Sequence, residues 1–280
     1  MQVAVASGKG GTGKTTVAVN LAYVLAQEMP TELLDCDVEE PNAHLFLHPT
    51  LNEMHEVKIL VPEVERSRCR GCGRCAEACA FNAIAVLGDK ALVFPELCHG
   101  CAGCIRVCPA RALREKPRRL GVVQSGSSGP VSFVQGRLDV GTPLAVPVVH
   151  AVKEQSREKV TILDAPPGTS CPVVATLTGS DYAILVTEPS PFGLNDLKLA
   201  VELVRELGIP HGVVLNRAGL GTEEVQEYCH REGIPILLRI PFDRRFAETI
   251  AHGRLLVEDF PDWRGEFRAL WDRVQGGLKV

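Results

Sequence analysis

The segment that decides the fold of this chain is Gly8-Lys9-Gly10-Gly11-Thr12-Gly13-Lys14-Thr15. It satisfies the pattern G-x-x-x-x-G-K-[ST] in full, and it lies between an apolar run at residues 2–6 and a helical pattern at residues 14–28. Its glycines let backbone N–H groups surround phosphate oxygens, and the N-terminus of the following helix adds favourable dipole charge. We therefore predict a phosphate-binding loop rather than an ordinary glycine-rich turn.

The side chains of this loop indicate a triphosphate and a metal ion as its ligands. Lys14 is expected to contact the β- and γ-phosphates, and the hydroxyl of Thr15 is expected to ligate Mg²⁺. The predicted cofactors are therefore ATP or ADP together with Mg²⁺. The residues expected to bind the nucleotide are Gly8, Gly10, Gly11, Thr12, Gly13, Lys14, Thr15 and Thr16.

The alternation of strand and helix patterns predicts an α/β fold with a mostly parallel sheet flanked by helices. Residues 123–131, rich in glycine and serine, are expected to form a flexible loop or a hairpin tip. Further strands are expected at residues 33–35, 160–163, 182–186, 212–215 and 236–240, and further helices at 193–207 and 221–232.

A compositional island interrupts this pattern. Eight of the eleven cysteines lie between Cys69 and Cys108, and residues 63–119 carry eleven Lys and Arg against six Asp and Glu, although the whole chain has a net charge of −4. We predict one α/β domain formed by residues 1–58 and 120–280, with an inserted domain at residues 59–119.

The cysteines of the island form an internal repeat with an offset of 29 residues. Each copy has the spacing C-x₂-C-x₂-C-x₃-C, which resembles the bacterial two-cluster ferredoxins, where the fourth cysteine ligates the other cluster. The resemblance predicts a small α+β ferredoxin-like domain with two [4Fe-4S] clusters. Its ligands would be Cys69, Cys72, Cys75 and Cys108 for one cluster and Cys98, Cys101, Cys104 and Cys79 for the other.

Zinc is the main alternative for these eight thiols. Two Cys₄ zinc sites would also use eight cysteines, but such sites normally consist of separated CxxC pairs. Three cysteines at x₂-x₂ spacing, present twice, favour iron–sulfur clusters. Ala80 stands where the first ferredoxin motif usually has proline, which affects loop rigidity more than ligation.

Lys9, the first lysine of the loop, resembles the signature lysine of the deviant Walker A family, which includes MinD, ParA, the Mrp-type iron–sulfur carriers and the nitrogenase iron protein. The resemblance implies a P-loop NTPase fold and Mg²⁺-dependent ATP hydrolysis. It also implies a homodimer through the P-loop face, in which Lys9 reaches the γ-phosphate of the facing subunit. An ordinary surface lysine is the alternative.

The same resemblance assigns roles to four residues that follow predicted strands. Asp37 would lie in switch I, near Mg²⁺ and the attacking water, and Asp164 would hold the metal through water. Asn216 would read the adenine, and Pro241 would belong to the loop on the base side. The predicted catalytic residues are therefore Lys9, Lys14, Asp37 and Asp164.

Three cysteines outside the island and one acidic residue near the predicted switch segment remain to be assigned. Asp35 either participates directly or orients the switch, and Cys36 is expected to be a small buried group. Cys229 is expected to be a core thiol. Cys171 lies where the nitrogenase iron protein has a cluster ligand, but the sequence offers no second ligand for a shared cluster.

The whole chain most resembles MinD-superfamily ATPases with an inserted ferredoxin domain, which leaves three roles open. These are nucleotide-gated electron transfer, iron–sulfur cluster assembly or delivery, and a positioning switch with redox-sensing clusters. Electron transfer ranks first because carriers usually have a CxxC on the ATPase domain, and none lies outside the island. The expected partner is a redox or iron–sulfur client protein.

The charge of the chain indicates its expected partners, and its apolar patterns indicate its localisation and the packing of its last helix. The net charge disfavours nucleic acid as a partner, and the arginines of the island either offset cluster charge or dock an acidic protein. The start of the chain resembles a strand rather than a secretory leader, and no apolar run is long enough to span a membrane, which predicts a cytoplasmic protein. An apolar stripe near the C-terminus is expected to dock on the sheet, with membrane binding as the alternative. It comprises Trp263, Phe267, Leu270, Trp271 and Val274.

Overall fold

The computed structural model describes residues 1–278, which form eleven strands and eleven α-helices. The strands are β1 (Gln2–Ala6), β2 (Thr31–Asp35), β3 (Thr50–Val64), β4 (Ile84–Leu87), β5 (Lys90–Val93), β6 (Leu113–Ser128), β7 (Val131–Leu138), β8 (Val160–Asp164), β9 (Tyr182–Thr187), β10 (His211–Ala218) and β11 (Ile236–Pro241). The helices are α1 (Lys14–Ala26), α2 (His44–Leu47), α3 (Arg74–Glu77), α4 (Gly103–Arg106), α5 (Val146–Lys153), α6 (Cys171–Leu177), α7 (Pro191–Glu206), α8 (Glu224–Arg231), α9 (Arg244–Ala251), α10 (Leu256–Asp259) and α11 (Trp263–Gly277).

The chain divides into two compact units. The first unit consists of Met1–His55, Val123–Arg137 and the chain from Val149 onward. The second unit consists of Glu56–Val122 and Leu138–Val148, and its last segment has no counterpart in the boundaries that the sequence suggested.

A nine-stranded sheet has the order β11-β10-β9-β1-β8-β2-β7-β6-β3. Strand β1 pairs in parallel with β8 and β9, β2 pairs in parallel with β7 and β8, and β10 pairs in parallel with β9 and β11. The predicted mostly parallel α/β sheet is therefore confirmed. Because parallel strands end at the same edge, the residues that follow β1, β2, β8, β9 and β10 are brought together.

The core of the first unit explains why these segments form these elements. Strands β1, β2 and β8 are buried along their whole length apart from Gln2, as expected for strands covered on both faces. The apolar stripe of α11 is also buried, with Phe267, Leu270, Trp271 and Val274 fully inaccessible to solvent. The predicted docking of this helix is confirmed.

Of the two alternatives predicted for residues 123–131, the structure shows the hairpin tip and not the flexible loop. Residues up to Ser128 belong to β6, and only Gly129 and Pro130 separate β6 from β7. Glycine is required at position 126 because the residue lies against β3, where an added Cβ would stand 1.9 Å from the carbonyl oxygen of Thr50. Glycine, which the sequence pattern associates with a loop, is therefore required here within a strand because a neighbouring strand lies close.

The second unit repeats its backbone conformation with the 29-residue offset of its cysteines. Helices α3 and α4 are related by this offset, and each ends two residues before the last cysteine of its copy. Strands β4 and β5 form a separate antiparallel pair. The residues with left-handed backbone angles also occur in pairs, namely Gly71 with Gly100, Gly73 with Ala102 and Asn82 with Arg111.

Candidate nucleotide site and cysteine cavities

The phosphate-binding loop follows β1 and ends at the first turn of α1. Gly13 precedes the helix in a left-handed conformation, with φ of 95°, and an added Cβ would lie 2.3 Å from Nδ2 of Asn216. Asn216 donates from Nδ2 to the carbonyl oxygen of Thr12 at 2.7 Å. The loop is therefore held by a side chain from the end of β10, and only glycine fits between them.

An open cavity of about 560 Å³ lies beside this loop, which is a suitable size for a nucleotide. Most of the predicted site residues line it. The lining does not include Gly8, Lys9, Thr12 or Asp164. The predicted residues in the lining are Gly10, Gly11, Gly13, Lys14, Thr15, Thr16, Asp37, Asn216 and Pro241.

The sequence did not indicate the apolar half of this cavity. Phe46 of α2 and Phe246 of α9 line it, together with Ile250 and Leu256. These side chains lie on short helices that come near the loop only in the folded chain, so no local pattern identifies them. A surface with polar groups at one end and apolar groups at the other suits a phosphate-bearing ligand with a flat organic base.

Asp164 at the end of β8 is fully buried, and its carboxylate lies 3.8 Å from Nζ of Lys14. Burial raises the pKa of Asp164, and the Lys14 charge opposes that rise. Within residues 1–278, neither carboxylate oxygen of Asp164 has a hydrogen-bond partner. Buried carboxylate oxygens beside the Thr15 hydroxyl are the hard ligands that Mg²⁺ prefers, so these residues fit that ion.

Asp35 shapes the switch segment. It pairs in register with Asp164 on the neighbouring strand, and burial together with the Asp164 charge raises its pKa to about 8. One carboxylate oxygen accepts from the backbone N–H of Asp37 at 3.1 Å, and the other accepts from Asn42 and Ala43 at 3.0 Å each. Its contacts are those of a residue that orients the segment.

Asp37 follows Asp35 and lines the cavity. It is only 9% exposed, and burial raises its pKa to about 6 while the nearby Lys14 charge opposes the rise. A carboxylate with this pKa is mostly ionised at neutral pH and can accept a hydrogen bond from a water molecule.

Lys9 makes a contact that the sequence did not suggest. Its Nζ lies 2.6 Å from Oε1 of Glu188, and Oε2 of Glu188 lies 2.7 Å from Nη1 of Arg217. Arg217 also donates from Nη2 to the carbonyl oxygen of Gly11 at 3.3 Å, and its own φ is 54°. The available signal was that Glu188 directly follows β9, whose end lies beside the end of β1.

Lys153 anchors the helix that follows Asp164. Its Nζ donates to three carbonyl oxygens at the end of α6, those of Ala175, Thr176 and Thr178, at 3.0, 2.8 and 2.6 Å. Cys171 begins this helix and is exposed. The loop between Asp164 and α6 therefore has a fixed strand before it and a fixed helix after it.

The two remaining cysteines of the first unit are buried, as predicted. Cys36 is fully inaccessible, and burial raises the pKa of its thiol. Cys229 is 1% exposed, and burial raises its pKa to about 11. Both thiols are therefore small buried apolar groups, as expected of core cysteines.

In the second unit, two separate cavities are lined by four cysteines each. Among residues 1–278, no three His, Cys, Asp or Glu side chains converge closely enough to hold a single metal ion. The two sets are those that the ferredoxin resemblance assigned to different clusters, with the fourth cysteine exchanged between the copies. One cavity contains Cys69, Cys72, Cys75 and Cys108, and the other contains Cys79, Cys98, Cys101 and Cys104.

Backbone N–H groups point at the cysteine sulfurs in the same way in both copies. The Sγ of Cys79 accepts from Ala83 at 3.3 Å, and the Sγ of Cys108 accepts from Ala112 at 3.3 Å. Such bonds stabilise negative charge on sulfur, and the N–H groups of Gly71 and Ala91 accordingly lower the pKa of Cys69. Thiolates surrounded by amide donors are the chemistry that an iron–sulfur cluster needs.

Several known proteins resemble this chain over most of its length. An uncharacterized protein of Methanocaldococcus jannaschii is 31% identical over 277 residues, which cover 94% of this chain and 97% of that protein. An iron-sulfur cluster carrier protein of Pyrococcus horikoshii is 25% identical, covering 99% of this chain and 86% of that one. Among solved structures, the septum site-determining protein MinD of P. horikoshii, complexed with Mg-ADP, has a TM-score of 0.60 at 21% identity, covering 100% of this chain and 98% of that one.

The parallel sheet, the loop between β1 and α1 and the buried Asp164 define a P-loop nucleotide-binding protein of the MinD and ParA type. The family model described as the CobQ/CobB/MinD/ParA nucleotide binding domain matches residues 3–257, and the chain belongs to this family. The resemblance that the loop residues suggested is therefore confirmed. None of the helices formed by residues 1–278 has the length and apolar character to cross a membrane.

Proposed function

We propose that this chain is a Mg²⁺-dependent ATPase that holds two [4Fe-4S] clusters in its second unit and couples nucleotide-driven dimer changes to electron transfer. The observation that carries the proposal is that two cavities are each lined by four thiols, in a chain that also contains a P-loop domain. A cubane binds each thiolate to a different iron, so its four ligands line a cavity and do not meet at one point.

The proposed hydrolysis uses five residues of the first unit. Lys14 and the loop N–H groups would neutralise the phosphate oxygens, and Asp37 would orient the attacking water. Asp164 and Thr15 would hold Mg²⁺, which would supply positive charge to the phosphate oxygens when bound. Lys9 would act from the facing protomer, so turnover would require a homodimer through the P-loop face.

The test of the ATPase part separates binding from turnover. Lys9→Ala should abolish ATP hydrolysis and leave the affinity for MgADP largely unchanged, because Lys9 lies outside the cavity lining. Lys14→Ala, as the matched control, should lose nucleotide affinity as well. If Lys9→Ala hydrolyses ATP at the wild-type rate, the proposed role of Lys9 is wrong.

Electron transfer requires clusters that stay bound. When bound, each would exchange single electrons. The protein should be purified anaerobically, iron and sulfide counted, and cluster reduction followed by absorbance and electron paramagnetic resonance with and without ATP. A nucleotide-dependent change in potential supports the proposal, and its absence during ATP turnover contradicts it.

Iron–sulfur cluster delivery is a second candidate, because relatives covering most of this chain are named as iron-sulfur cluster carrier proteins. Delivery requires labile clusters, whereas each cavity here contains a complete set of four cysteines with amide donors. A reconstituted protein incubated with an apo-ferredoxin distinguishes the two. Cluster loss to the acceptor that depends on ATP turnover would favour delivery over electron transfer.

A further inference from the structure

Glu188 is the common acceptor of two cations at the edge of the phosphate-binding loop. Its side chain is 17% exposed, and its two oxygens lie 2.6 Å from Nζ of Lys9 and 2.7 Å from Nη1 of Arg217. The hydroxyl of Ser190 donates to the same oxygen as Lys9 at 3.3 Å. Both carboxylate oxygens are therefore occupied, and the pair with Lys9 lowers the pKa of Glu188.

The backbone that carries Glu188 is held in place. An added Cβ at Gly193 would lie 2.3 Å from the carbonyl oxygen of Glu188, so the first turn of α7 packs directly against that peptide group. Ser190 caps this helix by accepting from the N–H of Gly193 at 3.0 Å. Because the turn between β9 and α7 is tightly packed, Glu188 cannot follow Lys9 when the lysine moves away.

The ammonium group of a lysine can form a full-strength ion pair with only one close anion at a time. Charge-assisted hydrogen bonds at this distance are the stronger ones, and partial burial protects this one from screening. In the separate protomer, Lys9 is therefore bound to a carboxylate of its own chain. For Lys9 to contact the phosphate of a facing protomer, that bond must break.

We propose that Glu188 is a positioning residue that restrains Lys9 on its own protomer, so that Lys9 becomes free for the facing nucleotide only when the dimer closes. This inference rests on the proposed function of Lys9 in a pair of protomers. The restraint is autoinhibitory, since it opposes assembly of the complete site by protomers that meet without a triphosphate.

Arg217 makes the restraint reversible. After Lys9 leaves, the carboxylate of Glu188 keeps the guanidinium of Arg217 as a partner, so no largely buried charge is left uncompensated. Arg217 is in turn tied to the loop through the carbonyl oxygen of Gly11. Its left-handed backbone is uncommon for a residue with a side chain, and such strain occurs most often at functional positions.

The test is the equilibrium of dimer formation, measured by sedimentation with a non-hydrolysable ATP analogue and Mg²⁺. Glu188→Gln keeps the size of the side chain and removes its charge. The dissociation constant of the dimer should fall about tenfold, because each closing dimer breaks two such pairs. The affinity of the separate protomer for MgADP, measured by calorimetry, should stay within a factor of about two.

The same substitution made in Lys9→Ala protein shows whether the effect of Glu188→Gln depends on Lys9. In Lys9→Ala protein, adding Glu188→Gln should leave the dimer constant unchanged within a factor of about two. An equal effect of Glu188→Gln with and without Lys9 would overturn the inference. Glu188→Asp, whose shorter side chain cannot hold Lys9 at the observed distance, should act in the same direction as Glu188→Gln and serves if the latter unfolds.

The outcomes separate the two proposals. Wild-type protein that hydrolyses ATP and dimerises, together with a Glu188→Gln variant that dimerises no more tightly, overturns the restraint alone. Wild-type protein that binds nucleotide but never dimerises overturns both the restraint and the proposed trans role of Lys9. A tighter dimer whose gain depends on Lys9 supports both.

Discussion

Replacement of Gly13 by alanine tests the geometry of the phosphate-binding loop. Gly13 has φ of 95°, and an alanine held in that left-handed region loses about 1–2 kcal/mol. Its Cβ would also stand 2.3 Å from Nδ2 of Asn216, which must move away and lose its bond to Thr12, at a cost of about 1 kcal/mol. The two effects together predict a loss of about 2–3 kcal/mol.

The loss should appear in both stability and binding. The melting temperature of the nucleotide-free protein is expected to fall by roughly 5–10 °C. If the loop relaxes by displacing the start of α1, nucleotide binding must reverse that displacement. The dissociation constant for MgADP should therefore rise at least about tenfold. Differential scanning calorimetry and isothermal titration calorimetry measure these two quantities.

Two neighbouring glycines provide graded controls. Gly11 has φ of 76° but open space around its Cβ position, so Gly11→Ala should show only the backbone cost of about 1–2 kcal/mol. Gly10 has neither a left-handed angle nor a near neighbour, so Gly10→Ala should be neutral or stabilising by up to about 1 kcal/mol. A Gly13→Ala protein as stable as Gly10→Ala would refute this reasoning.

Three further changes test other parts of the molecule. Cys108→Ser should reduce the iron content of anaerobically reconstituted protein from about eight to about four per chain, because one ligand set is broken, whereas exposed Cys171→Ser should leave the iron count unchanged. Since the pKa of Asp35 in the folded chain is about 8, above its ordinary 3.8, its contribution to stability is complete at low pH and is lost as pH rises to about 8. Urea unfolding of the nucleotide-free protein should show that decline, and Asp35→Asn should flatten it; an unchanged slope would contradict the pKa assignment. Trp271→Ala should lower the free energy of unfolding in urea by about 3–5 kcal/mol, because the side chain is fully buried, and a change below about 1 kcal/mol would contradict the docking of α11.

Local sequence patterns identified the parts of the site that are contiguous in the chain. The loop from Gly8 to Thr15 was recognisable because its spacing serves one ligand directly. The parallel strands were recognisable because strands buried on both faces have continuous apolar runs. The two cysteine sets were predicted differently, from the resemblance of their repeated spacing to the bacterial two-cluster ferredoxins.

Contacts between distant segments were not visible in the sequence. Glu188 meets Lys9 from 179 positions away, and Asn216 meets Thr12 from 204 positions away. Only the order of strands in the sheet brings these pairs together, and periodicity does not encode that order. The strand at residues 123–128 was missed for a related reason, since the neighbour that explains Gly126 lies on β3.

The three carbonyl bonds of Lys153 limit how the ATPase can signal the state of its nucleotide. Asp164 cannot leave its strand without breaking the central sheet, and α6 is tied at its far end. Of the six residues between them, Ala165 and Gly168 donate to the carbonyl oxygens of Val5 and Ser7. A change at the phosphate can therefore rearrange only a short segment here. A partner that senses hydrolysis through this loop must therefore contact it directly.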